Sequence, residues 1–367
     1  MKRGMEAALE KLHRGVVFVM LFVGVSAPLR AEMSPDQKAD QLLKQSERFQ
    51  MGGYLQTQYS MDQSEGIPSG TGNNGLFFRR GELTSKGQLL DNLFFVIGFE
   101  VTGSTDPLRD AYVDWTAIPM AAARLGQFRI PFGIEMQSSS KKLYLIDRML
   151  VAYPNNEQPS SKLVTSVKSG YLQERDMGLR LSGKPLTGPV GVDYAVAIIN
   201  GSDKNTPDKN DKKDLAGRVG ISPLKMLTVG GSIYRGRSPQ TVTAGGATTF
   251  TGINVKRDRY GADLELHPIE PLVVRAEYVT GKNDATRFNG YYALIAYRLP
   301  IDVEPAIRFE RLDPDKDKSN NEITRTTLGI NYYIKGDIKL QVNQEFREDK
   351  AAPKIGNMTL AQLQISF

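Results

Sequence analysis

From Phe49 onward the dominant period of polarity is two residues, and this period restricts the fold more than any other property of the sequence. Successive side chains of a strand point to opposite faces, so a period of two means strands with two unlike faces. Tyr291, Ala293, Ile295, Tyr297 and Leu299 share one face, with Arg298 on the other. Leu93, Phe95, Ile97, Phe99 and Val101 oppose Asn92, Gly98 and Glu100 in the same way. Val192, Tyr194, Val196 and Ile198 repeat the split, as do Tyr260, Ala262, Leu264 and Leu266 against Asp263, Glu265 and His267. The second face carries both signs of charge, including Glu100, Asp114, Asp176, Arg180, Asp193, Arg218, Arg275, Glu277, Arg308 and Glu310. It is too polar for the core of a sandwich.

A soluble sheet with one solvated face gives the same alternation, so the connections have to decide. Long or polar ones (60–74, 103–107, 131–170, 201–212, 236–251, 281–286, 313–321 and 347–357) alternate with the short "GQLLDN", "AIPMA", "KPLTGP", "SPLK", "HPIEP", "LPID" and "KGD". Eight long and seven short connections join about sixteen strands. This sorting predicts an all-β fold, a transmembrane antiparallel barrel with short periplasmic turns and long extracellular loops. A barrel of this size leaves an aqueous channel. After the N-terminal region no apolar run approaches the roughly 18 residues of a spanning helix. A mean hydropathy of -0.34 with 40% hydrophobic residues fits neither a helical membrane bundle nor a disordered chain.

The first 31 residues read as a signal peptide. Lys2, Arg3, Lys11 and Arg14 precede "GVVFVMLFVGVSAPL", and Ala31 offers a cleavage point before Glu32. Cleavage there removes five basic and two acidic residues, so the net charge drops from +6 to +3 and the case for nucleic acid as a partner weakens. Residues 32–47 form a short periplasmic lead, and 48–367 the barrel. There is no cysteine, and the processed chain keeps one histidine, His267, which leaves little scope for histidine catalysis or metal binding. No cofactor is expected. The final strand, "MTLAQLQISF", would pair with the first and turn Ala361, Leu363, Ile365 and Phe367 to lipid. Its terminal aromatic resembles the signal that bacterial outer-membrane proteins present to their assembly machinery.

"DPLRDAYVDW", "RLGQFRIPFGIE", "ERDMGLRLSG" and "YAVAIINGSD" occur in that order between Leu76 and Gly201, and here the sequence resembles the phosphate-selective porins O and P. The resemblance implies a homotrimer of sixteen-stranded channels in the cell outer membrane, each narrowed by its third long loop. That loop follows "RIPFG" and runs for about forty residues, far beyond ordinary connections. Within it, 138–150 can form a helix capped by Ser138, Ser139 or Ser140, with Leu143, Ile146 and Leu150 on one stripe and Lys141, Lys142 and Arg148 available to water. An external loop with ordinary surface lysines is the alternative.

Anion passage in that family implies arginines on the wall, and alternation places Arg80, Arg124, Arg180, Arg218, Arg275, Arg298 and Arg308 on the polar face. Each could instead pair with a cross-strand acid and hold the barrel open. The expected function is passive diffusion of small hydrophilic solutes with a preference for anions, phosphate among them; a general, weakly selective porin is the alternative. A barrel hydrolase would need a serine beside His267, which sits in a predicted turn next to Pro268 with none nearby. An adhesin displaying "SDKNTPDKNDKKD" lacks calcium-loop spacing.

Overall fold

The computed structural model describes residues 48–64, 74–103, 107–118, 120–151, 174–202, 204–208, 210–244, 247–335, 338–351 and 355–367. The expected signal peptide and lead segment, and residues 152–173 of the third loop, lie outside these.

Sixteen strands follow one another: β1 (Phe49–Asp62), β2 (Asn74–Leu90), β3 (Leu93–Glu100), β4 (Leu108–Ile118), β5 (Ala121–Arg129), β6 (Arg175–Thr187), β7 (Gly191–Ile199) and β8 (Asp214–Leu224), then β9 (Leu227–Ala244), β10 (Ala247–Leu266), β11 (Leu272–Asn283), β12 (Thr286–Tyr297), β13 (Val303–Asp313), β14 (Ile323–Tyr333), β15 (Ile338–Asp349) and β16 (Met358–Ser366). Each pairs antiparallel with its sequence neighbours, and β16 pairs with β1, so the sheet closes and no edge is left. Backbone hydrogen bonds between Gly53 and Phe367, one in each direction at 2.9 and 3.1 Å, extend that closing ladder.

The alternation sorts as expected. On β12, Tyr291, Ala293, Ile295 and Tyr297 face outward and are exposed. On β16, Leu363, Ile365 and Phe367 are exposed, whereas Gln362 and Gln364 are buried inside. Outward aromatics gather at two levels: Tyr59, Phe78, Tyr278, Tyr291, Phe309 and Phe346 toward the long loops, and Phe49, Trp115, Tyr297, Tyr332 and Phe367 toward the short turns. Two girdles flanking an apolar band match the interfaces of a bilayer.

Two of the long connections prove to be strand. Residues 236–251 belong mostly to β9 and β10, and only Asp284 and Ala285 separate β11 from β12. The first tip is rich in threonine and valine, which favour extended backbone, so the ladder continues past the expected rim. At the second, Asp284 adopts a φ of +53°, which lets two residues reverse the chain.

Candidate functional site

The third long connection leaves β5 at Ile130, and its described part, residues 130–151, lies inside the barrel. Its backbone is held by inward side chains of the wall. Glu277 on β11 accepts hydrogen bonds from the N–H groups of Ile134 and Glu135, both at 3.1 Å. Lys339 on β15 donates to the Leu143 carbonyl at 2.9 Å, and Asn331 on β14 to the Tyr144 carbonyl at 2.8 Å. The Ile146 N–H donates to Asn343 Oδ1 at 3.2 Å and the Leu150 N–H to Glu310 Oε1 at 2.9 Å. Arg308 donates to the Asp147 carbonyl at 2.8 Å, and Arg325 to that of Arg148 at 2.6 Å.

These bonds explain why the expected helix over 138–150 is absent. Only Ser140–Lys142 makes a single 3-10 turn. The amide and carbonyl groups that a helix would pair internally are satisfied by the wall instead, so the backbone has no unmet demand to drive helix formation. Leu143, Ile146 and Leu150 are buried, as the apolar stripe suggested, but against the barrel interior.

The seat is apolar. Ile130, Phe132, Met136, Leu145, Met149, Leu150 and Val151 of the loop form one cluster with inward Tyr234, Phe288, Tyr292 and Leu294 of the wall. The inward face of β12, from Phe288 to Ala296, is therefore not the polar lumen surface that alternation elsewhere led us to expect; it is the surface the loop covers. Gly290 on that face lets Val151 approach, since a Cβ there would lie 2.1 Å from the valine methyl. Gly133 takes a φ of +60° beside Glu277, and a Cβ would meet the carboxylate oxygen at 1.9 Å.

The candidate arginines divide into two groups. Arg308 is buried under the loop with Glu310 at 3.1 Å and Glu135 at 3.6 Å. Arg80 is buried too, donating to Gln56 at 3.2 Å. Arg298 sits at the short-turn rim, bonded to Asp302 at 2.8 Å and stacked 3.5 Å over Tyr333. Arg124, Arg180 and Arg218 face the accessible lumen, and Arg275, buried, borders the cavity between loop and wall. Arg124 grips Asp114 through two bonds of 2.7 and 2.8 Å and lies 3.6 Å over the Tyr112 ring. Arg218 grips Asp263 at 2.6 and 2.9 Å, with Asp193 at 3.3 Å. Arg275 bonds Glu265 at 2.8 Å. Arg180 stands directly opposite Arg124 across β5 and β6 and makes no ion pair with a described residue.

Of the loop cations, Lys141 and Lys142 are exposed. Arg148 is not available to water: it is 1% exposed and donates to the carbonyls of Glu135 and Ser138 and to Ser140 Oγ. A buried guanidinium surrounded by loop carbonyls ties the loop to itself. Between loop and wall lies a cavity of about 320 Å³, lined by Gly133, Ile134, Gln137 and Ser138 on one side and Arg218, Thr228, Glu265 and Arg275 on the other.

Alternation missed three groups. Arg79 joins Arg80 inside because a bulge opposite Gln56 and Thr57 shifts the register at that point, and it reaches Asp147 at 4.0 Å. Arg325 ties Glu310 (2.6 Å) to Glu345 (3.2 Å) beneath the loop. Glu277 was visible as an inward acid but not as a loop anchor. The double arginine in "FFRR" was the one available signal of the bulge. Among the described residues no group of three or more His, Cys, Asp and Glu could hold a metal ion. His267 lies with its Nε2 at 3.1 Å from Glu265 Oε1.

A closed barrel of sixteen strands whose charged lumen is narrowed by its own loop has the architecture of a porin. The chain belongs to the phosphate-selective porin O and P family, whose pattern matches residues 49–351. An uncharacterized protein of Aquifex aeolicus is 28% identical over 299 residues, 72% of this chain and 68% of that protein. Among solved structures, the anion-selective porin from Comamonas acidovorans shares the fold with a TM-score of 0.58 at 15% identity, covering 87% of this chain and 99% of that one. The trimer form of OmpT, an outer membrane protein of Vibrio cholerae, gives 0.58 at 12% identity over the same shares.

Proposed function

We propose that the chain is an outer-membrane channel for passive diffusion of small hydrophilic solutes, preferring anions, with inorganic phosphate as the candidate solute. The observation that carries the preference is the charge balance of the narrowed passage. In the half of the wall nearer the short turns, Arg124, Arg180, Arg218 and Arg275 face the carboxylates Asp114, Asp193, Asp263 and Glu265, and the exposed Lys141 and Lys142 of the loop make the balance positive. Arg180, Lys141 and Lys142 have no carboxylate partner among the described residues, so their fields are available to a passing anion.

The general, weakly selective porin is favoured by a different observation: Arg124, Arg218 and Arg275 are each paired with an acid, which cancels much of their field. Export with cleavage after Ala31, a lead over 32–47, assembly through the terminal Phe367 strand, a homotrimer surrounded by outer-membrane lipid, and transport without catalysis complete the proposal. The trimer form of the Vibrio OmpT supports the oligomer.

Zero-current potentials in a salt gradient across a planar bilayer test the preference. The parent is expected to favour anions, and Arg180→Glu combined with Lys141→Glu and Lys142→Glu to reverse the sign. A parent without preference, unchanged in the triple variant, establishes the general porin.

A further inference from the structure

The exterior of the barrel carries a basic site that the channel reading does not use. Arg235 on β9 stands directly opposite Leu215 on β8 and Asp258 on β10. Leu215 is an exposed outward residue, so Arg235, and Arg237 two positions on, lie on the outer surface. Lys256 faces Arg237 directly across the β9–β10 ladder. Like charges opposed in this way repel, and the arrangement is relieved by an anion between them. Lys212, from the connection before β8, completes an open cavity of about 500 Å³ that these four cations line together with Asp211 and Asp258. Asp258 is engaged by Lys256 at 3.2 Å, whereas Arg235, Arg237 and Lys212 form no ion pair with a described residue.

Depth identifies the anion. Tyr260, two residues from Asp258 toward the short turns, is an outward exposed aromatic two ladder positions beyond Tyr278 of the girdle near the long loops, and it borders the cavity. At about 3.3 Å per residue Arg235 therefore lies roughly 7 Å and Arg237 roughly 13 Å along the strands above Tyr260, toward the headgroups over a hydrocarbon band. Leu215 beside Arg235, and Val219 and Tyr260 nearer the short turns, give acyl chains an apolar wall. A free anion would gain nothing from that wall. Guanidinium groups suit phosphate because their planar forks donate two parallel hydrogen bonds.

We propose that Arg235, Arg237, Lys256 and Lys212 bind the phosphate-bearing headgroup of a lipid in the leaflet at the long-loop end. The inference rests on reading the chain as a membrane barrel, but not on what its lumen conducts. The test uses the full chain in neutral detergent micelles, titrated with phosphatidic acid, phosphatidylcholine or inorganic phosphate and read by native mass spectrometry, with bilayer conductance measured on the same samples. Phosphatidic acid should remain bound where phosphatidylcholine does not. Arg235→Glu with Arg237→Glu should weaken it about tenfold or more, given about 1 kcal/mol per interfacial cation, and Arg237→Gln alone by less. Lys335→Glu, at the opposite rim, should change nothing. Equal affinity in the parent and all variants, or displacement by millimolar inorganic phosphate, overturns the proposal. Retained lipid binding in a parent that does not conduct counts against the channel and leaves the lipid site standing.

Discussion

Glu277 holds the first turn of the loop against the barrel wall. Its carboxylate accepts two loop N–H groups, and Gly133 supplies the positive φ that aims them at it. A buried hydrogen bond contributes about 0.5–1.5 kcal/mol net. Glu277→Ala is therefore expected to free the first turn of the loop and raise single-channel conductance, while Glu277→Gln, which keeps an acceptor oxygen, should change it less. Gly133→Ala should resemble Glu277→Ala, because a Cβ collides with the carboxylate and the backbone angle is strained. Conductance equal to the parent in Glu277→Ala and Gly133→Ala would show that this anchor does not hold the loop.

At the scale of elements, the loop and β12 form one unit. Removing residues 138–150 opens the lumen and also uncovers Tyr292 and Leu294, whose inward faces the loop shields. The deletion is expected to raise conductance and lower the unfolding temperature together, because buried apolar surface stabilises by about 25 cal/mol per Å². Higher conductance with unchanged stability would mean the cluster adds nothing. On the outside, the connection between β13 and β14 is tied to the end of β15 through Glu322, which bonds Lys350 and Arg311. The Lys350 ammonium, and then the Arg311 guanidinium, hold its carboxyl below the usual carboxylate range. A depressed folded pKa means the tie is intact above the ordinary value of about 4.3 and is lost as pH falls through the lowered one. Amide exchange in 314–322, corrected for its intrinsic pH dependence, should accelerate on acidification in the parent, and Glu322→Gln should remove that pH dependence.

For the whole molecule, the closed sheet gathers the long connections at one rim and the short turns at the other. Single cysteines at Asp208, Lys316 and Lys350, on long connections, should be labelled from outside intact cells by an impermeant reagent, and one at Pro300 should not. Labelling of all four alike would refute the proposed orientation. Because every strand is paired on both sides, the barrel should resist detergent until heated and change gel mobility on boiling.

The period of two and the sorted connections determined the barrel, its strand number and its outward face, because a side chain's face follows from position along a strand and needs no knowledge of neighbours. Charge sign and the inward set, including Arg124, Arg180, Arg218 and Arg275, were legible for the same reason. Which arginine stays accessible was not. Burial of Arg308 beneath the loop, the bulge that turns Arg79 inward, and replacement of the expected helix by wall-bonded backbone all depend on groups more than a hundred residues apart or on register between strands. β12 did carry one sign of this, being apolar on both faces in a barrel whose interior should be wet. A local pattern records what each strand prefers, but only closure of the sheet brings Glu277, Arg308 and Arg325 around the same loop and decides what the passage shows to a solute.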